Sequence, residues 1–154
     1  MTAINHAITG AVIGFVVGAP LLALPIAFVS HFVCDAMPHF DPSMPAEQWI
    51  CTKAFTRLLI VDALLCLLLI AVLAVMHPYN WLLAAMCAFV AASPDLYWIR
   101  RFTLTRRGLV WTANWFERFA IAIQWFTAPI GAVVELVWFS TFAVLILPFL
   151  RNVS

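Results

Sequence analysis

Five apolar segments, at 3–17, 20–37, 55–76, 81–99 and 129–150, take up most of this 154-residue chain. A soluble domain carries about 25% charged residues. Here 10% of the residues are charged and 66% are hydrophobic. Such a chain cannot coat a globule in water, so the expected fold class is all-α, a polytopic integral membrane protein. About five membrane helices are predicted, as two hairpins plus one, with one interfacial amphipathic helix. All of 1–154 then forms a single membrane domain. It divides into hairpin 3–37, loop 38–54, hairpin 55–99, a basic loop and interfacial helix at 100–127, and last helix 129–150. The first two segments are short against the ~20 residues a span needs, so they either span with tilt or form a re-entrant pair.

The hairpins turn at Gly18-Ala19-Pro20 and at His77-Pro78-Tyr79-Asn80. Pairing residues across each turn sets His6 level with His31 and Asp62 level with Asp95. Residues 38–45 hold three prolines and read as a helix stop and loop. Residues 109–127 read as an amphipathic helix along the membrane surface, with Asn114, Glu117 and Gln124 on its polar side. Its Trp111, Trp115 and Trp125 suit the headgroup zone. A nine-residue match of Leu21–Val29 to Leu82–Val90, identical at six positions, supports a two-hairpin plan.

Lys53, Arg57, Arg100, Arg101, Arg106, Arg107 and Arg118 fall on one side of this plan, and only Arg151 falls on the other. Cytoplasmic loops carry the excess of Lys and Arg. The N-terminus and both polar loops are therefore expected to be cytoplasmic, with the C-terminus on the far side of the membrane. Every acidic residue, and His6, His31 and His39, lies in the cytoplasmic half or its loops; only His77 lies opposite. Ionisable groups within a membrane are costly and mark a functional site by default.

Gly10, Gly14 and Gly18 recur every fourth residue, and His6 continues the row. Ala23, Ala27, His31 and Asp35 form a matching row on the second segment. Small rows let helix backbones approach closely, so the two rows are expected to face each other. His31 and Asp35 lie one helical turn apart, a spacing that suits two ligands of one metal. With His6, Asp62 and Asp95 they make an expected metal site of two histidines and three aspartates. Such ligands suit Zn, Mn or Fe, with Mg admissible. A structural polar network and a proton or ion pathway are the alternatives. His39 and Asp41, in the loop above, are candidates for ligand, general base or substrate contact. Glu135 closes the site or pairs with an arginine.

The remaining features constrain less. The arginine pairs 100–101 and 106–107 read as topology determinants and anionic-lipid contacts, or as a substrate-phosphate site. Cys34, Cys51, Cys66 and Cys87 show no CxxC spacing and read as packing residues. No Gly-rich phosphate loop, GxSxG elbow or HExxH motif is present. No aromatic-interleaved basic patch points to nucleic acid.

The stretch Ser30-His31-Phe32-Val33-Cys34-Asp35-Ala36-Met37-Pro38-His39-Phe40-Asp41 resembles the SHxxxDxxPHxD stretch of small bacterial membrane proteins described as membrane-bound metal-dependent hydrolase-like. His6, Asp62, Pro94-Asp95 and the stretch from Gln124 to Pro129 also look like that group. Relatives often carry a histidine at the place of Phe119–Gln124, and this chain has none there. The resemblance implies a hydrolase of the bacterial cytoplasmic (inner) membrane without naming a substrate.

On this basis the expected activity is metal-dependent hydrolysis of an amphiphile, a lipid phosphate or ester, at the cytoplasmic membrane surface. The metal would polarise the scissile group and activate water, with His39 or Asp41 as proton shuttle. Membrane lipids are the expected partners, and a homo-oligomer or a partner membrane protein is compatible. A non-catalytic scaffold and an ion-binding or transport protein are the rival readings.

Overall fold

The computed structural model describes residues 1–151, and residues 152–154 lie outside it. The first hairpin is α1 (Ala3–Val17) and α2 (Pro20–Asp35), followed by strand β1 (His39–Phe40) and the short α3 (Ala46–Ile50). The second is α4 (Lys53–Met76) and α5 (Trp81–Ala92). A 3-10 turn (Ser93–Leu96) joins α5 to α6 (Tyr97–Arg106). Then come α7 (Trp115–Ile123), strand β2 (Thr127–Ala128) and α8 (Gly131–Arg151). The described fold is helical apart from the parallel pairing of β1 with β2, which sets His39 against Thr127.

Both turns form where the sequence places them. Gly18 ends α1 at a positive φ of 66°, and its N–H closes on the Gly14 carbonyl. A side chain is strained in that left-handed conformation, whereas glycine is not. Pro20 then starts α2 where no backbone donor is needed.

Among the described residues, three helices are long and apolar enough to cross a membrane: Lys53–Met76, Trp81–Arg106 and Gly131–Arg151. Their outward surfaces are apolar: Leu64, Leu67 and Leu68 on α4, and Val133, Leu136 and Val137 on α8, are exposed. A continuous apolar surface of this kind suits lipid. At 15 and 16 residues, α1 and α2 fall short of that length. For α1 the reason is visible in the packing. α1 is the central helix, buried almost all round, with α2, α5, α4 and α8 about it. A helix enclosed by protein need not match the thickness of the bilayer.

The core lies between α1 and α5. Ala7, Ile8, Ala11 and Phe15 pack with Ala84, Ala88, Leu73 and Ile146. The glycine row faces α5, not α2. A β-carbon on Gly10 would fall on the Cys87 carbonyl, and one on Gly14 would lie 2.6 Å from the Ala84 α-carbon. Ala23 and Ala27 of α2 also pack toward α5, against Leu83, Cys87 and Ala91. The expected facing of the two small rows is therefore corrected. α5, rich in alanine, is slim enough to enter the groove between α1 and α2 and to fill the room both rows leave.

Two boundaries differ from expectation. Residues 100–106 are helix, not basic loop. Pro94 sits in the first turn of the 3-10 segment, where proline is tolerated, so the axis continues into α6. Arg106, in the last turn of α6, donates to Thr56 Oγ1 at 2.6 Å, bringing the basic ends of α6 and α4 together. The amphipathic helix covers Trp115–Ile123 only. Asn114 starts it with a capping box, accepting from Glu117 N while Glu117 accepts from Asn114 N.

Candidate metal centre

Four side chains from three elements meet at one end of the central helix. α2 presents His31 and Asp35 on one face, with His31 Nε2 3.3 Å from Asp35 Oδ2. α1 brings His6, whose Nε2 lies 3.2 Å from Asp35 Oδ1. The two imidazoles stack with centroids 4.0 Å apart. The 3-10 turn supplies Asp95, whose oxygens lie 3.8 Å from His6 Nε2 and 3.9 Å from His31 Nε2. One ligand atom from each of the four residues falls within 4.8 Å of all the others. His6 and His31 are fully shielded from solvent, and Asp35 is 1% exposed.

The local chemistry fits a cation. His31 Nδ1 lies 2.9 Å from the Ala91 carbonyl. That carbonyl only accepts, so Nδ1 carries the proton and Nε2 offers its lone pair to the cluster. Neither His6 Nε2 nor His31 Nε2 has a hydrogen-bond partner, despite the nearby carboxylates. Buried polar atoms are nearly always paired, so orphaned nitrogens facing carboxylates need an explanation. Two imidazoles and two carboxylates so placed could hold a metal ion. Asp35 is held from outside the cluster too. The Met1 amine lies 2.6 Å from Oδ1, and Gln124 donates to Oδ2 at 3.2 Å.

Asp62 stands apart from this group. Its oxygens accept from Ala3 N at 2.7 Å and Ile4 N at 2.9 Å. The start of α1 is enclosed, so its first-turn N–H groups need acceptors, and a carboxylate there also complements the helix dipole. Asp62 thus fixes the turn that carries His6. Glu135 has a parallel task, and neither closes the cluster nor pairs with an arginine. It accepts from Thr2 N at 2.9 Å, Asn5 Nδ2 at 3.3 Å and Phe40 N at 2.9 Å. It ties α8 to the start of α1 and to β1.

His39 is buried in β1, its Nδ1 2.9 Å from the Met37 carbonyl. Burial, with the nearby Met1 amine, holds its pKa below the ordinary histidine value. Gly131 packs so closely on the His39 backbone that a β-carbon would meet the His39 carbonyl group. Asp41 is half-exposed and accepts from Ser43 N at 2.7 Å, closing its own turn.

The basic end is internally partnered. Arg100 pairs with Glu117 at 2.8 Å, and Arg101 with Glu47 at 2.9 Å. The Arg101 guanidinium also stacks 4.3 Å from the Trp111 ring centre and 5.0 Å from that of Trp98. No family model, curated protein or solved structure matches the chain.

Proposed function

We propose a membrane-embedded, metal-dependent hydrolase, resembling the membrane-bound hydrolase-like group, that acts on an amphiphilic lipid phosphate or ester at the cytoplasmic surface of a bacterial inner membrane. One observation carries this reading: one ligand atom from each of His6, His31, Asp35 and Asp95 converges within 4.8 Å, with both Nε2 atoms shielded and facing the carboxylates. A divalent ion held by these four would supply Lewis acidity to a hydrolytic reaction. Asp62 and Glu135 hold α1 so that His6 stays in the cluster. His39 has Nε2 as its basic nitrogen once Nδ1–H donates to Met37, and it is the proton carrier in this reading.

The purified protein, prepared with metal, should contain a stoichiometric divalent ion and hydrolyse some member of a lipid phosphate and ester panel. Turnover should persist on acidification until below the ordinary histidine pKa of about 6.5, because the base is lost only when His39 gains a proton. Metal-free wild-type protein, after metal-replete preparation, would sink the reading. A purely structural polar network would then stand ahead, favoured by the Met1 amine that already neutralises Asp35 at 2.6 Å.

Orientation belongs to the same proposal. Cys51 is exposed beside the basic end. In intact cells a membrane-impermeant thiol reagent should miss Cys51 and label Asn80→Cys at the opposite turn. Labelling of Cys51 alone reverses the orientation.

A further inference from the structure

The segment that follows α7 closes over the end of α2 that carries Asp35. Trp125 Nε1 donates to the Ala36 carbonyl at 3.0 Å, and His39 N donates to the Phe126 carbonyl at 3.1 Å. On the other side, the Phe32 ring of α2 meets Phe116 and Phe119 of α7 edge-on, with centroids 6.1 and 5.3 Å apart. Between these contacts lies Gln124, the C-cap of α7. Its side chain donates to Asp35 Oδ2 at 3.2 Å.

An ionised carboxylate only accepts, so the Gln124 atom that faces it is the amide nitrogen. Oδ2 also lies 3.3 Å from His31 Nε2. His31 keeps its proton on Nδ1 for the Ala91 carbonyl, so this Nε2 has none to give. The Gln124 amide therefore supplies Oδ2 with a donor that His31 cannot. Asp35 is the carboxylate set between the two imidazoles, with Oδ1 3.2 Å from His6 Nε2. Rotation of this one side chain would move its oxygens relative to both histidines. A ligating carboxylate hydrogen-bonded from outside keeps one orientation, and such partners tune metal affinity. A neutral amide does this without adding a charge that competes with a cation.

We propose that Gln124 is a positioning residue of the metal centre: its amide N–H holds the Asp35 carboxylate toward both imidazoles and so sets the affinity of the site for a divalent ion. This rests on the metal-binding reading above. Docking of the segment on α2 is a separate task, and Trp125 performs it, because its hydrogen bond ends on the Ala36 carbonyl outside the cluster.

The test titrates the full-length protein in detergent with Co(II), whose visible spectrum reports the donor set. Gln124→Met keeps the length of the side chain and removes the N–H. It should bind Co(II) about 10–100-fold more weakly than wild type, the range for an outer-shell partner, and its visible bands should shift. Trp125→Phe removes the indole hydrogen bond and should keep the wild-type affinity and bands.

Wild-type affinity and bands in Gln124→Met overturn this inference and leave the metal site standing. Equal losses in Gln124→Met and Trp125→Phe overturn it too, since the segment would then act by docking alone. Failure of wild type to bind Co(II) overturns the metal reading and this inference with it. A second readout needs no change at Gln124. The glutamines of the chain are Gln48 and Gln124, and Gln48 is exposed. In Gln48→Ala, isotopic labelling of the glutamine amide leaves one side-chain resonance, that of Gln124. Zn(II) should move it, because the carboxylate it donates to becomes a ligand. A resonance indifferent to bound Zn(II) overturns the inference, whether or not Gln124→Met folds.

Discussion

His31→Ala and Asp35→Ala should each leave the purified protein with almost no bound metal. Both side chains enter the cluster from adjacent turns of α2, and both are themselves shielded from solvent. Loss of an outer-shell partner lowers metal affinity about 10–100-fold, and loss of a ligand should exceed that. Asp62→Ala provides the contrast. It removes the acceptor for Ala3 N and Ile4 N but no atom of the cluster. The cost of such a cap is about 0.5–2 kcal/mol of stability. Metal affinity should fall only within the outer-shell range, through loosening of the turn that carries His6. Elemental analysis of the three variants beside wild type separates the two roles. Equal metal loss in Asp62→Ala would make Asp62 a ligand after all. Full metal in His31→Ala would show that His31 is not a ligand and that the ion is held elsewhere.

Much of this site can be read from spacing alone. His31 and Asp35 are one turn apart, which already places them on one face. The turn at Gly18 sets His6 opposite His31, and the rings do stack. Asp95 reaches the same level because the second hairpin turns at residues 77–80. What spacing does not contain is the rotation of each helix about its axis. Asp62 is level with the cluster, yet its carboxylate turns to the start of α1, where unpaired N–H groups compete for it. The same holds for Glu135. A carboxylate alone in an apolar segment carries no mark that distinguishes a ligand from a helix cap. The extent of α6 is missed for a different reason: the arginines from Arg100 on read as a basic loop, whereas the helix runs on to Arg106.

Gly10→Leu should abolish the folded protein, and the reason bears on how the site is assembled. Even a β-carbon at Gly10 would fall on the Cys87 carbonyl and within 2.7 Å of the Ala91 β-carbon. These are backbone and stub atoms of α5 that cannot rotate aside. Overpacking a core costs about 1–3 kcal/mol where side chains can adjust. Here a whole helix must move, so the loss should be larger. The displacement also falls on the site, because the Ala91 carbonyl holds the His31 ring at 2.9 Å and Asp95 follows four residues later. Separation of α1 from α5 would therefore release His6 from Asp95 and remove the partner that fixes the His31 tautomer. Gly18→Ala acts at the hairpin turn instead, where the nearest atom is the Asn80 side chain at 3.7 Å and the strain is only that of a positive φ. Thermal unfolding in detergent should then rank wild type above Gly18→Ala, and Gly18→Ala far above Gly10→Leu, with metal lost in Gly10→Leu and kept in Gly18→Ala. A Gly10→Leu variant that stays folded with its metal in place would show that α5 does not fill the groove between α1 and α2.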